Sequence, residues 1–112
     1  MKIYHNPRCS KSRQTLSIIE EAGAPVEIVE YLKEPLSKDE LGQLIAFLGI
    51  KPLDLIRKNE SDFKEHFKGK TLSDDEWISA MINYPKLMER PIVVKEGKAI
   101  IGRPPELVKA LL

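Results

Sequence analysis

The first thirty-one residues constrain the fold more than any other part of the chain. Lys2-Ile3-Tyr4 reads as a short strand and Asn6-Pro7 as a turn. From about Ser10 to Ala22, Leu16, Ile18, Ile19 and Ala22 recur on one helical face, and Gly23 stands where a helix commonly ends. A second strand, about Val26 to Tyr31, follows after the two-residue turn Ala24-Pro25. Strands joined through a helix run parallel, and such a crossover is right-handed almost without exception. A chain that opens this way is committed to a sheet with a helix packed on it.

The remainder supplies the other elements. Ser37-Lys38-Asp39-Glu40 has the form of a capping box, and the helix it opens places Leu41, Leu44, Ile45 and Leu48 on one face before Gly49. Pro52 to Arg57 predicts a short helix, while residues 58 to 71 are polar and weakly periodic. Ser73-Asp74-Asp75-Glu76 is a second capping box, opening a helix with Trp77, Ile78, Met81 and Ile82 that Pro85 ends. This middle stretch is expected to be helical and without strands. Pro91-Ile92-Val93-Val94 and Ala99-Ile100-Ile101 flank Glu96-Gly97, a hairpin turn, and a last helix is expected from Pro105 to Leu112. The order β-α-β, helical insertion, β-β-α is that of the thioredoxin fold, an α/β architecture built on a four-stranded mixed sheet. A chain of 112 residues is expected to make one domain, residues 1–112, rather than two.

Composition narrows the function. No apolar run approaches the ~18 residues of a membrane span, and the N-terminus lacks the apolar stretch of a signal peptide. A cytoplasmic protein is expected. The single cysteine excludes an internal disulfide and agrees with a reducing compartment. A net charge of +1 argues against a nucleic-acid binder, which shows a strong basic excess or stripe. The charge is nevertheless uneven: Lys2, Arg8, Lys11 and Arg13 fall within the first 19 residues, and none of the 17 acidic side chains does. Such a local cationic bias suits a small anion.

Cys9 lies at the junction of the first strand and the first helix, where unpaired N–H groups and the positive end of the helix dipole favour an anion. That anion is either a bound oxyanion or the thiolate itself. Arg8, Lys11, Arg13 and a protonated His5 are expected to depress the thiol's pKa. Ser12, one helical turn on, is expected to offer its hydroxyl to the sulfur. The competing readings are that Cys9 is a small core hydrophobe and that His5 is a strand-end histidine satisfied by backbone. His66 reads as a surface residue. No spacing suggests a metal site, and there is no Gly-rich phosphate loop.

Arg90 and Arg103 each precede a proline, which restricts them to extended geometry and fixes where their side chains start. In a thioredoxin-like sheet the end of the strand entered at Pro91 lies beside the first helix, which lets both guanidiniums converge on Cys9. The competing reading, favoured where the fold is left aside, is that each is a surface arginine with a solvated head. Their planar forks suit a tetrahedral oxyanion. Arg57, at the end of a short amphipathic turn, reads by itself as a surface arginine. A lone cysteine cannot resolve an adduct by internal disulfide formation, so a second thiol must come from outside the chain.

Five stretches, in order, carry a resemblance: "IYHNPRCSKSRQTL", "YLKEPLSKDEL", "LIRKN", "ERPIVV" and "GRPPE". With these the chain resembles the ArsC family of arsenate reductases coupled to glutathione and glutaredoxin, which have a thioredoxin-like fold. The resemblance implies that Cys9 attacks arsenate to form a thiol–arsenate adduct. It implies that Arg57, Arg90 and Arg103 bind the oxyanion, that His5 and Ser12 lower the thiol's pKa, and that Pro91 is cis. Glutathione then attacks the adduct, arsenite leaves, and glutaredoxin reduces the cysteine–glutathione mixed disulfide. No metal is implied. The chain reads Cys9-Ser10-Lys11-Ser12-Arg13 where characterised members commonly read Cys-Gly-Thr-Ser-Arg.

Two other readings remain. One is a glutathione-dependent thiol oxidoreductase with another substrate. The other is a Spx-like transcriptional regulator that binds RNA polymerase, against which stands Ser12 in place of the second cysteine of Cys-x-x-Cys. A Cys-x5-Arg phosphatase is excluded, because Thr15 occupies the arginine position.

Overall fold

The computed structural model describes all residues from 1 to 112. The chain forms two compact units, one of residues 1–34 with 90–112 and the other of residues 35–89.

The first unit contains β1 (Lys2–Tyr4), α1 (Ser10–Glu21), β2 (Glu27–Val29), β3 (Ile92–Lys95), β4 (Lys98–Ile101) and a 3-10 segment, Pro105–Leu111. Its sheet has the order β2-β1-β3-β4. β1 runs parallel to β2, with Lys2 opposite Glu27, and antiparallel to β3, with Ile3 opposite Val93. β4 returns antiparallel to β3. This is the thioredoxin-like mixed sheet.

Because Ile3 and Val93 are direct cross-strand partners, they point to the same face of the sheet. There they meet Ile19 of α1 and Val108 and Leu111 of the 3-10 segment in one core cluster. Burying side chains of this size stabilises the fold by about 1.5 to 3 kcal/mol each. The β3–β4 turn is two residues long, and both Glu96 (φ 51°) and Gly97 (φ 76°) are left-handed, as a tight hairpin turn between twisted strands requires.

In this first unit, three details differ from the sequence expectation. The second strand is confined to Glu27–Val29, and the last helix is 3-10 rather than α. In α1 the buried stripe is Ser12, Thr15 and Ile19, while Ala22 is exposed. Hydropathy periodicity finds only the C-terminal half of this stripe, because the N-terminal half buries hydroxyls that have hydrogen-bond partners.

The second unit is helical: α2 (Lys38–Leu48), α3 (Ser61–His66), α4 (Asp74–Asn83) and 3-10 turns at Pro52–Leu55 and Pro85–Leu87. The Ser37 hydroxyl accepts the Glu40 N–H (3.0 Å) at the start of α2. Ser73 and Glu76 cap α4 reciprocally, at 3.2 and 2.9 Å. Helix α3 lies in the stretch that reads as weakly periodic. What holds it is an aromatic cluster: the Phe63 ring stacks on Trp77 (6.1 Å between centroids), and Phe67 packs against Trp77 (5.9 Å) and Tyr84 (5.6 Å).

The stretch expected to be strandless contains one antiparallel bridge, Ile56 to Met88. The Arg57 N–H donates to Leu87 O (2.7 Å) and the Glu89 N–H to Leu55 O (2.8 Å). No helix is long and apolar enough to cross a membrane.

Candidate active site

The strand register of the first unit gathers three loops at one end of its sheet. Tyr4, the last residue of β1, pairs with Ile92, the first of β3, and Ile92 pairs with Ile101, the last of β4. The residues just outside these pairs begin the loop to Cys9, end the approach through Arg90-Pro91, and begin the exit through Gly102-Arg103. Side chains that are up to 94 residues apart in sequence thereby become neighbours.

The loop before α1 is held by hydrogen bonds within itself, to the first turns of α1 and, through the His5 N–H, to Val29 O of β2 (2.8 Å). The Cys9 N–H donates to Asn6 O (3.0 Å), and the Arg8 N–H donates to Asn6 Oδ1 (3.0 Å) in an Asx-type turn. The Asn6 N–H donates to Ser12 Oγ (3.0 Å), and Arg13 Nη1 reaches back to Pro7 O (2.9 Å). Cys9 becomes the N-cap residue of α1, with extended backbone (φ −93°, ψ 123°), and the first turn holds no acid. Its side chain is buried, with 9% of its surface exposed.

Arg103 Nη1 lies 3.9 Å from Cys9 Sγ and also donates to Arg90 O (3.1 Å). Burial pushes the thiol's pKa up. The Ser12 backbone N–H, the Arg90 charge, the Lys11 backbone N–H and the Arg103 guanidinium together outweigh it, and the thiol titrates below its ordinary value. The cations expected to do this are largely different ones. The Arg13 guanidinium is occupied by the Pro7 carbonyl, and Lys11 acts through its backbone.

His5 is not the expected cation either. Burial lowers its pKa, against the opposing charge of Glu30 and with the help of Arg13, so the imidazole is neutral at neutral pH. Its Nδ1 lies 2.6 Å from Ser12 Oγ. The Ser12 hydroxyl is thus engaged with His5 and the Asn6 N–H, and it is the backbone N–H of Ser12 that favours the thiolate.

Arg90 supplies the most informative geometry. Its Nε and Nη1 are buried and have no hydrogen-bond partner. Unpaired buried donors on a charged group are costly, and native structures rarely keep them without a reason. Charged donors of this kind suit an oxyanion acceptor.

The Arg90–Pro91 peptide is cis. So is Arg103–Pro104, for which the sequence reading made no such expectation. Arg57 belongs to the other unit, where the Ile56–Met88 bridge brings it to two carboxylates. Its Nη1 donates to Glu60 Oε2 (2.9 Å), and its Nε lies 3.3 Å from Glu89 Oε1. His66 is exposed and stacks on Tyr84 (4.9 Å). On α3, Asp62, Glu65 and His66 present polar atoms within 4.8 Å of one another, a surface grouping that the sequence reading did not find.

Sequence reasoning also missed Thr15 and Gly102. Thr15 is fully buried and its hydroxyl donates to Lys11 O (2.8 Å). A Cβ on Gly102 would stand 2.6 Å from Thr15 Oγ1 and 2.9 Å from Pro91 Cγ, so only glycine fits without a shift.

Taken together, a buried thiol of lowered pKa at a helix N-terminus, with one guanidinium on the sulfur and a second bearing unpaired donors, is equipped for nucleophilic attack on a small oxyanion. Comparison with known proteins leads in the same direction. A sequence model of the ArsC family matches residues 4–111. The chain is 50% identical over 110 residues to the uncharacterized protein YfgD of Escherichia coli K12, covering 96% of this chain and 92% of that one. It is 41% identical over 114 residues to an arsenate reductase of Neisseria meningitidis serogroup A, covering 100% and 97%. The solved arsenate reductase of Vibrio cholerae superposes with a TM-score of 0.94 at 45% identity, covering 100% of this chain and 98% of that one.

Proposed function

The chain belongs to the ArsC family, and from that premise we propose that it reduces arsenate to arsenite through a covalent adduct on Cys9 that glutathione resolves. The observation that carries this reading is the pairing of the Cys9 sulfur, 3.9 Å from Arg103, with the unpaired buried donors of Arg90. The arsenate reductases named among its relatives support it.

In the proposed mechanism, the Cys9 thiolate attacks arsenic(V), an S–As bond forms and an oxygen departs as water or hydroxide. Arg90 and Arg103 hold the remaining oxygens and the charge that builds on them. The thiolate of glutathione then attacks the Cys9 sulfur. The electron pair of the S–As bond passes to arsenic, which leaves as arsenite, and the two sulfurs are left as a mixed disulfide. Two electrons have moved from two thiols to one arsenic atom. Glutaredoxin, with a second glutathione, returns Cys9 to the thiol. Only one of the two thiols can come from this chain, because Cys9 is its sole cysteine.

His5 and Ser12 act on the thiol together. Their hydrogen bond, with the Asn6 N–H on the same hydroxyl, fixes the first turn of α1 so that the Ser12 N–H serves the sulfur. Pro91, whose peptide bond to Arg90 is cis, lies between Arg90 and β3. Arg57 is the third proposed oxyanion ligand, and an oxyanion must there compete with Glu60 and Glu89.

The test is arsenate-dependent NADPH consumption in a coupled assay with glutathione, glutaredoxin and glutathione reductase, comparing the wild type with Cys9→Ser. Turnover in the wild type that vanishes with Cys9 is expected. No turnover, from a Cys9 that still exchanges with oxidised glutathione, would reject arsenate and favour a thiol oxidoreductase of other substrate.

A further inference from the structure

The loop carrying Arg103 meets the helix carrying Cys9 at one especially tight place. Thr15 lies on the inward stripe of α1, fully buried, and its hydroxyl is anchored to Lys11 O at 2.8 Å. Against it lies Gly102, whose N–H donates to Pro91 O (2.9 Å) and whose own carbonyl is 3.4 Å from Thr15 Oγ1. The space a Cβ of Gly102 would need is already filled from two sides, by Thr15 and by Pro91. Arg103 follows immediately, and Pro91 immediately follows Arg90. One close-packed contact therefore touches the residue next to each guanidinium and the helix whose N-cap is the reactive sulfur.

We propose that Thr15 and Gly102 are positioning residues: their contact sets how closely the Arg103 loop approaches helix α1, and so how closely the Arg103 guanidinium approaches the Cys9 sulfur. The functional part of this inference rests on the proposed role of Arg103. The contact acts by size rather than by its weak polar component. A cysteine sulfur at 3.9 Å from a guanidinium nitrogen is at the outer limit of hydrogen-bond range, so a displacement of a few tenths of an ångström breaks the interaction. Packed interiors transmit such a displacement, because they contain little free space to absorb it.

Cys9 is the only cysteine, so the pH dependence of alkylation by iodoacetamide reports on it alone. Gly102→Ala is expected to raise the midpoint of that dependence and to slow alkylation at pH 7 by about three- to tenfold, a thiolate-fraction change of up to about one pH unit. The double variant Thr15→Ala with Gly102→Ala removes the two Thr15 atoms that the new methyl would strike. It is expected to recover only part of the loss, because Pro91 Cγ, at 2.9 Å, still opposes the new methyl, and any recovery separates coupled neighbours from independent ones. Thr15→Ile crowds the contact from the helix side and should raise the midpoint even where Gly102→Ala folds poorly.

A Gly102→Ala protein with a lowered melting temperature and an unchanged midpoint would overturn the proposal, since the contact would then be structural only. So would a double variant that is no better than Gly102→Ala, or an unmoved midpoint in Thr15→Ile. Arsenate turnover is measured in parallel, with a rise in KM larger than the fall in kcat expected for Gly102→Ala. If the wild type turns over no arsenate, the functional proposal fails while the alkylation result still decides the positional one.

Discussion

The surroundings of Arg90 and those of Arg57 treat a guanidinium in opposite ways. Arg57 stands between Glu60 and Glu89, which satisfy its Nη1 and Nε. Arg90 keeps two buried nitrogens without a partner, beside a thiol whose pKa it lowers. A paired arginine is a structural element whose charge is already spent locally, whereas an unpaired buried one has its charge available to a ligand. The contrast ranks the contributions expected at the site: Arg90 with Arg103 first, Arg57 after them.

Several substitutions sharpen or break that ranking. Arg90→Ala should cost about 2 to 4 kcal/mol of transition-state stabilisation, read as a loss in kcat/KM for arsenate. A change under about threefold would make its unpaired donors incidental. Arg57→Ala should cost less, about tenfold or below, because Glu60 and Glu89 oppose its use by an anion. A loss equal to that of Arg90→Ala would end the comparison. Glu89→Gln should lower KM by about twofold by releasing Arg57, and a raised KM would mean that the carboxylate orients the arginine productively.

Two further expectations concern stability. Val93→Ala, in the core beneath the site, should destabilise by about 1 to 3 kcal/mol in a denaturant titration, and should change the Cys9 midpoint little. The His5 expectation is smaller. Its folded pKa is depressed, so below about pH 6.5 the unfolded chain takes up a proton that the folded chain refuses. Stability is therefore retained above that pH and lost as pH falls. Melting temperature should drop more between about pH 7 and 5 in the wild type than in His5→Gln, and parallel curves would mean His5 is not held neutral.

The strand order and the two capped helices were legible because each is written locally: in apolar runs, in Ser-x-x-Glu, and in glycines after helix ends. Helix α3 was not, since it is held by rings from Phe63, Phe67, Trp77 and Tyr84 rather than by an apolar stripe. At the candidate site, the position of Cys9 at the head of α1 and the approach of Arg90 and Arg103 followed from the fold class. The electrostatic detail did not follow. Proximity in sequence suggested Arg8, Lys11 and Arg13 as the cations on the thiol, but a helix start points successive side chains in different directions, and Arg13 turns back to Pro7. Burial, which no local pattern reports, made His5 neutral instead of cationic. Gly102 needed the three-dimensional contact with Thr15 to become visible at all.

The central claim is that the backbone N–H groups of Ser12 and Lys11, together with the Arg90 and Arg103 guanidiniums, outweigh burial and lower the Cys9 pKa. Thiolate absorbance of Cys9 titrated against pH, in the wild type and in an Arg90→Gln, Arg103→Gln double variant, tests it most directly. The account predicts a wild-type midpoint below the 9.0 of an unperturbed thiol and an upward shift in the double variant, where only the Ser12 and Lys11 N–H groups still oppose burial. A wild-type midpoint at or above that value, or the same midpoint in both proteins, would contradict it.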